Sequence, residues 1–171
     1  MSELTGDWKR LDEILNPANI RKGLNQAVAR VGNYGAGEVK RGIVSGAPGG
    51  QRFTSNSPLT IARKGSSKPL IDKGDLVGSI TYQVIDSNNV FIGVKQGKET
   101  NIAAVHEFGC TIRVTPKMRA YLHYQDIHLK ASTQYIHIPA RPFLRPVLLG
   151  EEFKVKVAEI YIQAIERVFR T

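Results

Sequence analysis

Cysteine is nearly missing from this chain: Cys110 is the only one in 171 residues. A single thiol closes no intrachain disulfide and provides no cysteine-based metal site. The chain therefore reads as one folded and assembled in a reducing cytoplasm. Long hydrophobic runs are missing too. The apolar stretches, such as residues 102–105, fall far short of the roughly 20 residues that span a bilayer. No membrane partner is expected. The opening residues, MSELTGDWKRLDEIL, carry Asp and Glu and lack the character of a secretory or mitochondrial leader. Aromatic residues make up only 8% of the chain and do not interleave with the basic ones, so no base-stacking platform is expected. There is no internal repeat.

The signatures of catalysis are just as scarce. His106-Glu107 begins like a zinc-protease motif, but HExxH needs a second histidine one turn on, and Cys110 stands there after the helix-ending Gly109. His123, His128 and His137 match no ligand spacing. Gly46-Ala-Pro-Gly-Gly50 opens no helix that would gather amides around a phosphate. Ser79 lacks the strand–elbow–helix setting of a hydrolase nucleophile. Asp72, Asp75 and Asp86 are the carboxylates that a nuclease would turn on magnesium. Two of them flank Gly74 in a turn, however, where carboxylates commonly bond backbone amides. No enzyme is expected, and no cofactor or metal.

What is present is charge. Twenty-four Lys and Arg against 15 Asp and Glu give a net +9. Such a surface is drawn to polyanions without needing a sequence-reading motif. The length fits one domain, 1–171, able to bury a core. Residues 1–15 carry Leu4, Trp8, Leu11 and Leu15 at helical spacing. Asn16-Pro17 breaks that helix and starts a second, whose stripe of Ile20, Leu24, Val28, Val31, Gly35, Val39 and Ile43 runs to about Val44. Its five glycines point to close packing or a kink, or to a helix that bends during assembly. Residues 45–75 have no period and are rich in Gly, Pro and Ser. This long irregular loop is basic through Arg52, Arg63, Lys64, Lys68 and Lys73. It reads either as solvated surface or as a segment ordered on a neighbour or near DNA.

From Leu76 the period becomes two. Ile80, Tyr82 and Val84, the Ser87-Asn88-Asn89 turn and residues 90–94 predict a hairpin. Residues 101–108 predict a helical turn, 111–115 and 135–138 two further strands, and 116–124 a short helix. Residues 126–133 read as a loop or a hairpin excursion. Pro139, Pro142 and Pro146 stiffen the approach to a last helix over 150–170, striped by Phe153, Val157, Ile160, Tyr161, Ala164 and Val168. The order predicts an α+β fold: an antiparallel sheet of about four strands packed with a long N-terminal and a C-terminal helix.

Four segments in order then resemble the phage virion morphogenesis, or tail-completion, family of Mu-like prophages. Residues 68–80, KPLIDKGDLVGSI, resemble its PL-x-x-TG-x-L-x-x-SI segment, with Lys73 where Thr is usual. IAAVHEFG at 102–109 is similar to its A-x-x-H-E-F-G element. VTPKMRAYL at 114–122 resembles its VTPKM stretch, and IPARPFL at 138–144 its IPARPFL signature. The likeness covers about 68–144 and leaves the first 60 residues without a motif.

The resemblance implies a non-enzymatic virion protein of the phage neck or tail that completes the tail and joins it to the DNA-filled head. It implies a homo-oligomeric ring, a hexamer, assembled in the host cytoplasm and ending in the virion. The partners implied are neck, connector, tail terminator or tail-tube proteins, with nonspecific proximity to genomic DNA. The alternatives are a tail terminator or head-side stopper, and more distantly a sequence-nonspecific DNA-binding protein or nuclease. Within the motifs, Gly74 is placed to launch the first strand and Gly109 to close a helical turn in the left-handed conformation. Arg141 is placed to meet Glu107 as a staple, within one chain or between subunits. Phe108 and Phe143 read as core residues. Arg52, Arg63, Lys64, Lys68 and Lys73 are the candidate contacts to a DNA lumen or a partner.

Overall fold

A computed structural model describes residues 6–170. In chain order the elements are α1 (Trp8–Leu15), α2 (Pro17–Ser45), a 3-10 turn (Pro48–Gly50), α3 (Pro58–Lys64), α4 (Asp75–Ser79), β1 (Ile80–Val84), β2 (Val90–Val94) and α5 (Lys98–Phe108). These are followed by β3 (Cys110–Arg113), α6 (Pro116–Tyr124), β4 (Tyr135–Ile138), α7 (Arg145–Leu148) and α8 (Glu151–Arg170). The expected first helix is present from Trp8; the part expected over residues 1–5 lies outside the described residues.

α2 is the spine. The Asn16 side chain accepts a hydrogen bond from the Ala18 amide at 2.9 Å, and Pro17 occupies the first turn, where its missing N–H has no helical partner to lose. Gly46, left-handed at φ 76, ends the helix by returning its N–H to the Gly42 and Ile43 carbonyls. One side of α2 packs on α8 and another on the β1–β2 hairpin. Four of its glycines explain how closely. A Cβ on Gly23 would lie 2.8 Å from Val168, on Gly32 2.4 Å from the Tyr82 ring, on Gly35 2.6 Å from Ile92, and on Gly42 2.8 Å from Pro48. The close-packing reading of these glycines fits those distances. Gly37 is different, because only the Arg41 guanidinium comes near, at 3.6 Å.

Two apolar clusters result. Ala36, Val39, Ile43, Leu76, Ile80, Ala103, Phe143 and Val147 form the larger, under the first hairpin and the proline-rich segment. Ala27, Val31, Ile160 and Ala164 form the smaller, between α2 and α8, where Tyr34 stacks on Phe153 with centroids 5.9 Å apart.

The α+β class holds, and the expected strands fall into two antiparallel ribbons rather than one sheet. β1 pairs β2 with Ile80 opposite Val94 and Val84 opposite Val90; β3 pairs β4 with Cys110 opposite Ile138 and Arg113 opposite Tyr135. The physical reason is α5, which intervenes between β2 and β3 and carries the chain away from the first hairpin. The second ribbon packs chiefly on itself and, with α6, forms an arm. Two further expectations need correction. Gly74 launches the short helix α4, not a strand, so β1 begins only at Ile80. Residues 45–75 are not wholly irregular: they contain the Pro48–Gly50 turn and α3, whose Ser57 cap, Pro58 and left-handed Gly65 end-stop are ordinary helix signals. Among the described residues no helix is long and apolar enough to cross a membrane.

Candidate functional site

The motif residues meet where α5 ends and the proline-rich segment passes. Glu107 is buried, 7% exposed, near the C-terminus of α5. Its carboxylate accepts three backbone N–H bonds: Phe143 and Leu144 on Oε2 at 2.8 and 3.0 Å, and Arg145 on Oε1 at 3.0 Å. Those amides lead into α7, so Glu107 caps that turn from a distance in sequence. Arg141 is equally buried, yet it does not pair with Glu107. Its Nε donates to the Thr54 carbonyl at 2.7 Å and an Nη to the Ser55 carbonyl at 2.9 Å. The expected Glu107–Arg141 salt bridge is therefore absent, and two separate charge-assisted staples replace it. Each charged group finds backbone dipoles of the opposite sign, which satisfies it without an ion pair.

The backbone completes the knot. Arg141 N–H donates to the His106 carbonyl at 2.6 Å. Gly109 sits at φ 75, ψ 166, a region essentially restricted to glycine, and a Cβ there would lie 3.0 Å from the Ala140 nitrogen. The positive φ matches the sequence reading, but the extended ψ turns the chain into β3 and does not close the helix. Phe143 is fully buried. Phe108 is not a core residue: it is 61% exposed, with the Arg145 guanidinium 4.7 Å from its ring centroid. It is the last residue of α5, and the turn at Gly109 leaves it facing outward, beside an open apolar groove of about 300 Å³ with Phe91 and Leu144.

His106 contributes its carbonyl, while its ring Nδ1 is buried with no hydrogen-bond partner among the described residues. Burial, then the Arg141 and Lys64 charges, push its pKa below the ordinary value. Of the other histidines, His123 and His128 pack edge to face with centroids 4.6 Å apart, and His137 Nδ1 lies 3.1 Å from Thr111 Oγ1 across the second ribbon. Asp86 turns its carboxylate onto the Asn88 and Asn89 amides, which shapes the hairpin turn. No three His, Cys, Asp or Glu side chains gather as a metal site among the described residues.

The basic candidates divide. Arg63, Lys64 and Lys68 share one closed loop. The Asn56 amide ties the Ser67 and Lys68 carbonyls at 3.3 Å, Lys64 Nζ donates to the Lys68 carbonyl, and α3 caps itself through Ser57 and Gly65. Arg63 also reaches Gln125 Oε1 at 2.8 Å, at the end of α6. Arg52 and Lys73 are exposed on the approaches, outside that loop. None of the four ion pairs among the described residues involves any of the five. The anchors missed in the sequence were Thr54, Ser55 and the 143–145 amides. They act through backbone atoms, which leave no mark on residue type.

The chain matches the phage virion morphogenesis family over residues 7–166. No curated protein and no solved structure matches it.

Proposed function

The chain belongs to the phage virion morphogenesis family, and from that premise we propose that it is a structural, non-enzymatic subunit of the phage neck or tail. It completes the tail and joins it to the DNA-filled head as a homo-oligomeric ring, a hexamer. The observation that carries this reading is how the motif charges are used. Glu107 is committed to three amides and Arg141 to two carbonyls, so the charged groups of the motifs act as braces. They fix the relation between α5, the proline-rich segment and the basic loop. A ring subunit needs that fixity, because closure depends on a reproducible rotation from one copy to the next. The outer surface supports self-association: Val155, Ile162, Ile165 and Phe169 recur at coiled-coil spacing on a face of α8 that stays exposed.

The test is made in the phage. The triple reversal R63E/K64E/K68E is expected to leave the purified chain folded and to yield separate heads and tails in the lysate. Normal infectious particles would rule out a joining role for the loop. A chain missing from purified particles would sink the virion reading as a whole.

A further inference from the structure

We propose that the α3 loop of one copy docks in an acidic cleft at the start of α8 of the next copy. The proposal rests on the ring reading above and adds which two faces meet. The cleft, about 520 Å³, lies between the end of α2, the Pro48–Gly50 turn and the start of α8. Glu38, Glu151 and Glu152 line it; Arg41 is bridged to Glu38 and Lys154, one turn on, to Glu151 at 2.6 Å, which leaves Glu152 as the lining carboxylate without an ion pair among the described residues. In a chain of net +9 that balance is unusual. Arg21 and Lys22 line a second cleft, and Arg30, Arg41 and Lys156 a third. That third surface begins across Tyr34, so the acidic stretch is confined to the end made by Glu151 and Glu152. Burial and the Glu38 carboxylate together raise the Tyr34 pKa, as expected beside negative charge.

The loop is the matching shape. α3 has no buried residue, and a helix of seven residues has no stability of its own in water. It is nevertheless tied into a defined projection by Asn56, Ser57 and Arg63. That projection presents Arg63, Lys64 and Lys68 together with exposed Leu59 and Ile61. Pro146, Val147 and Phe153 give the cleft an apolar wall to receive them. Copies this basic repel one another overall, so a stable contact needs local complementarity of this kind. Because donor loop and acceptor cleft are different patches of one chain, the contact is head to tail and propagates into a ring.

Charge swapping tests it on the full-length protein. R63E/K68E puts an acidic loop against an acidic cleft, and E151K/E152K puts a basic loop against a basic cleft. Each variant alone is expected to lose the ring, with association weakened about tenfold or more and the native mass falling toward the 18.9 kDa chain. Mixing the two variants restores both contacts, so rings of alternating subunits are expected to form. The milder R63Q/K68Q and E151Q/E152Q pairs are expected to weaken association with unchanged circular dichroism. Mass is read in solution and on protein released from particles. Rings that persist in either reversed variant, or a mixture that stays apart, would overturn the docking and leave the ring reading standing. A wild-type chain monomeric in both settings would overturn the ring reading itself.

Discussion

A buried carboxylate that holds three backbone amides is a structural tie, and Glu107 is that carboxylate. Removing it in Glu107→Ala strands three backbone donors in a largely buried setting. The expected loss is about 2–4 kcal/mol, read by urea unfolding. Glu107→Gln keeps an acceptor oxygen but turns an amide donor toward the remaining N–H groups, so it too should destabilise, by less. His106 makes a prediction in pH. Its folded pKa lies below the ordinary value of 6.5, so the unfolded chain binds the proton more readily. The His106 contribution to stability is therefore complete above about pH 7 and is lost as pH falls through about 6.5 and below. Glu38 and Asp86 also have lowered pKa values and act further down, as carboxylates protonate. His106→Gln should flatten the curve just below about pH 7 in unfolding experiments; an unchanged slope would remove His106 as its source. Sequence brought Glu107 and Arg141 into view as a pair and mistook their partners. Opposite charges are visible in a sequence, whereas the backbone atoms that satisfy them here are not.

Among the elements, α2 carries the sharpest contrast. Gly32→Ala gains helix propensity but drives a Cβ to 2.4 Å from Tyr82 and 2.7 Å from Val90, and overpacking of that kind costs about 1–3 kcal/mol. Gly37→Ala meets nothing closer than the Arg41 guanidinium at 3.6 Å and should stabilise by about 0.5–1 kcal/mol. Melting curves should separate the two in sign. If both substitutions raise Tm, α2 does not pack on the hairpin this closely. The elements written in local pattern were legible. α6 and β4 fall on the expected residues, 116–124 and 135–138, and α2 and α8 lie within a residue of theirs. Two things were not. α3 was hidden because its cap residues Ser57, Pro58 and Gly65 are also turn residues, and no apolar stripe accompanies them. The division into two ribbons depends on pairings distant in sequence, which alternation within a strand does not encode.

At the scale of the molecule, charge sets the behaviour. If the basic loop and acidic cleft hold the copies together, association should weaken as salt rises, because the screening length falls from about 10 Å at 0.1 M to about 3 Å at 1 M. Sedimentation across that range is the measurement, and an oligomer indifferent to salt would point to the apolar face of α8 instead. The two surfaces were only half visible in advance. The cations of the loop stand out in the sequence, but Glu38 lies far along the chain from Glu151 and Glu152, and the three form one wall only when α2 and α8 pack side by side.

The arm formed by β3, α6 and β4 has a mechanical consequence. It is held at its root, where Arg141 binds the His106 carbonyl, and again further out, where Gln125 meets Arg63. The arm is thus tied to the body at two moorings, the outer one a single exposed side-chain hydrogen bond. While that bond holds, a displacement of the arm is shared with the α3 loop. Severing the outer mooring with Gln125→Ala would turn the arm into a hinge and should raise hydrogen exchange in both α3 and α6.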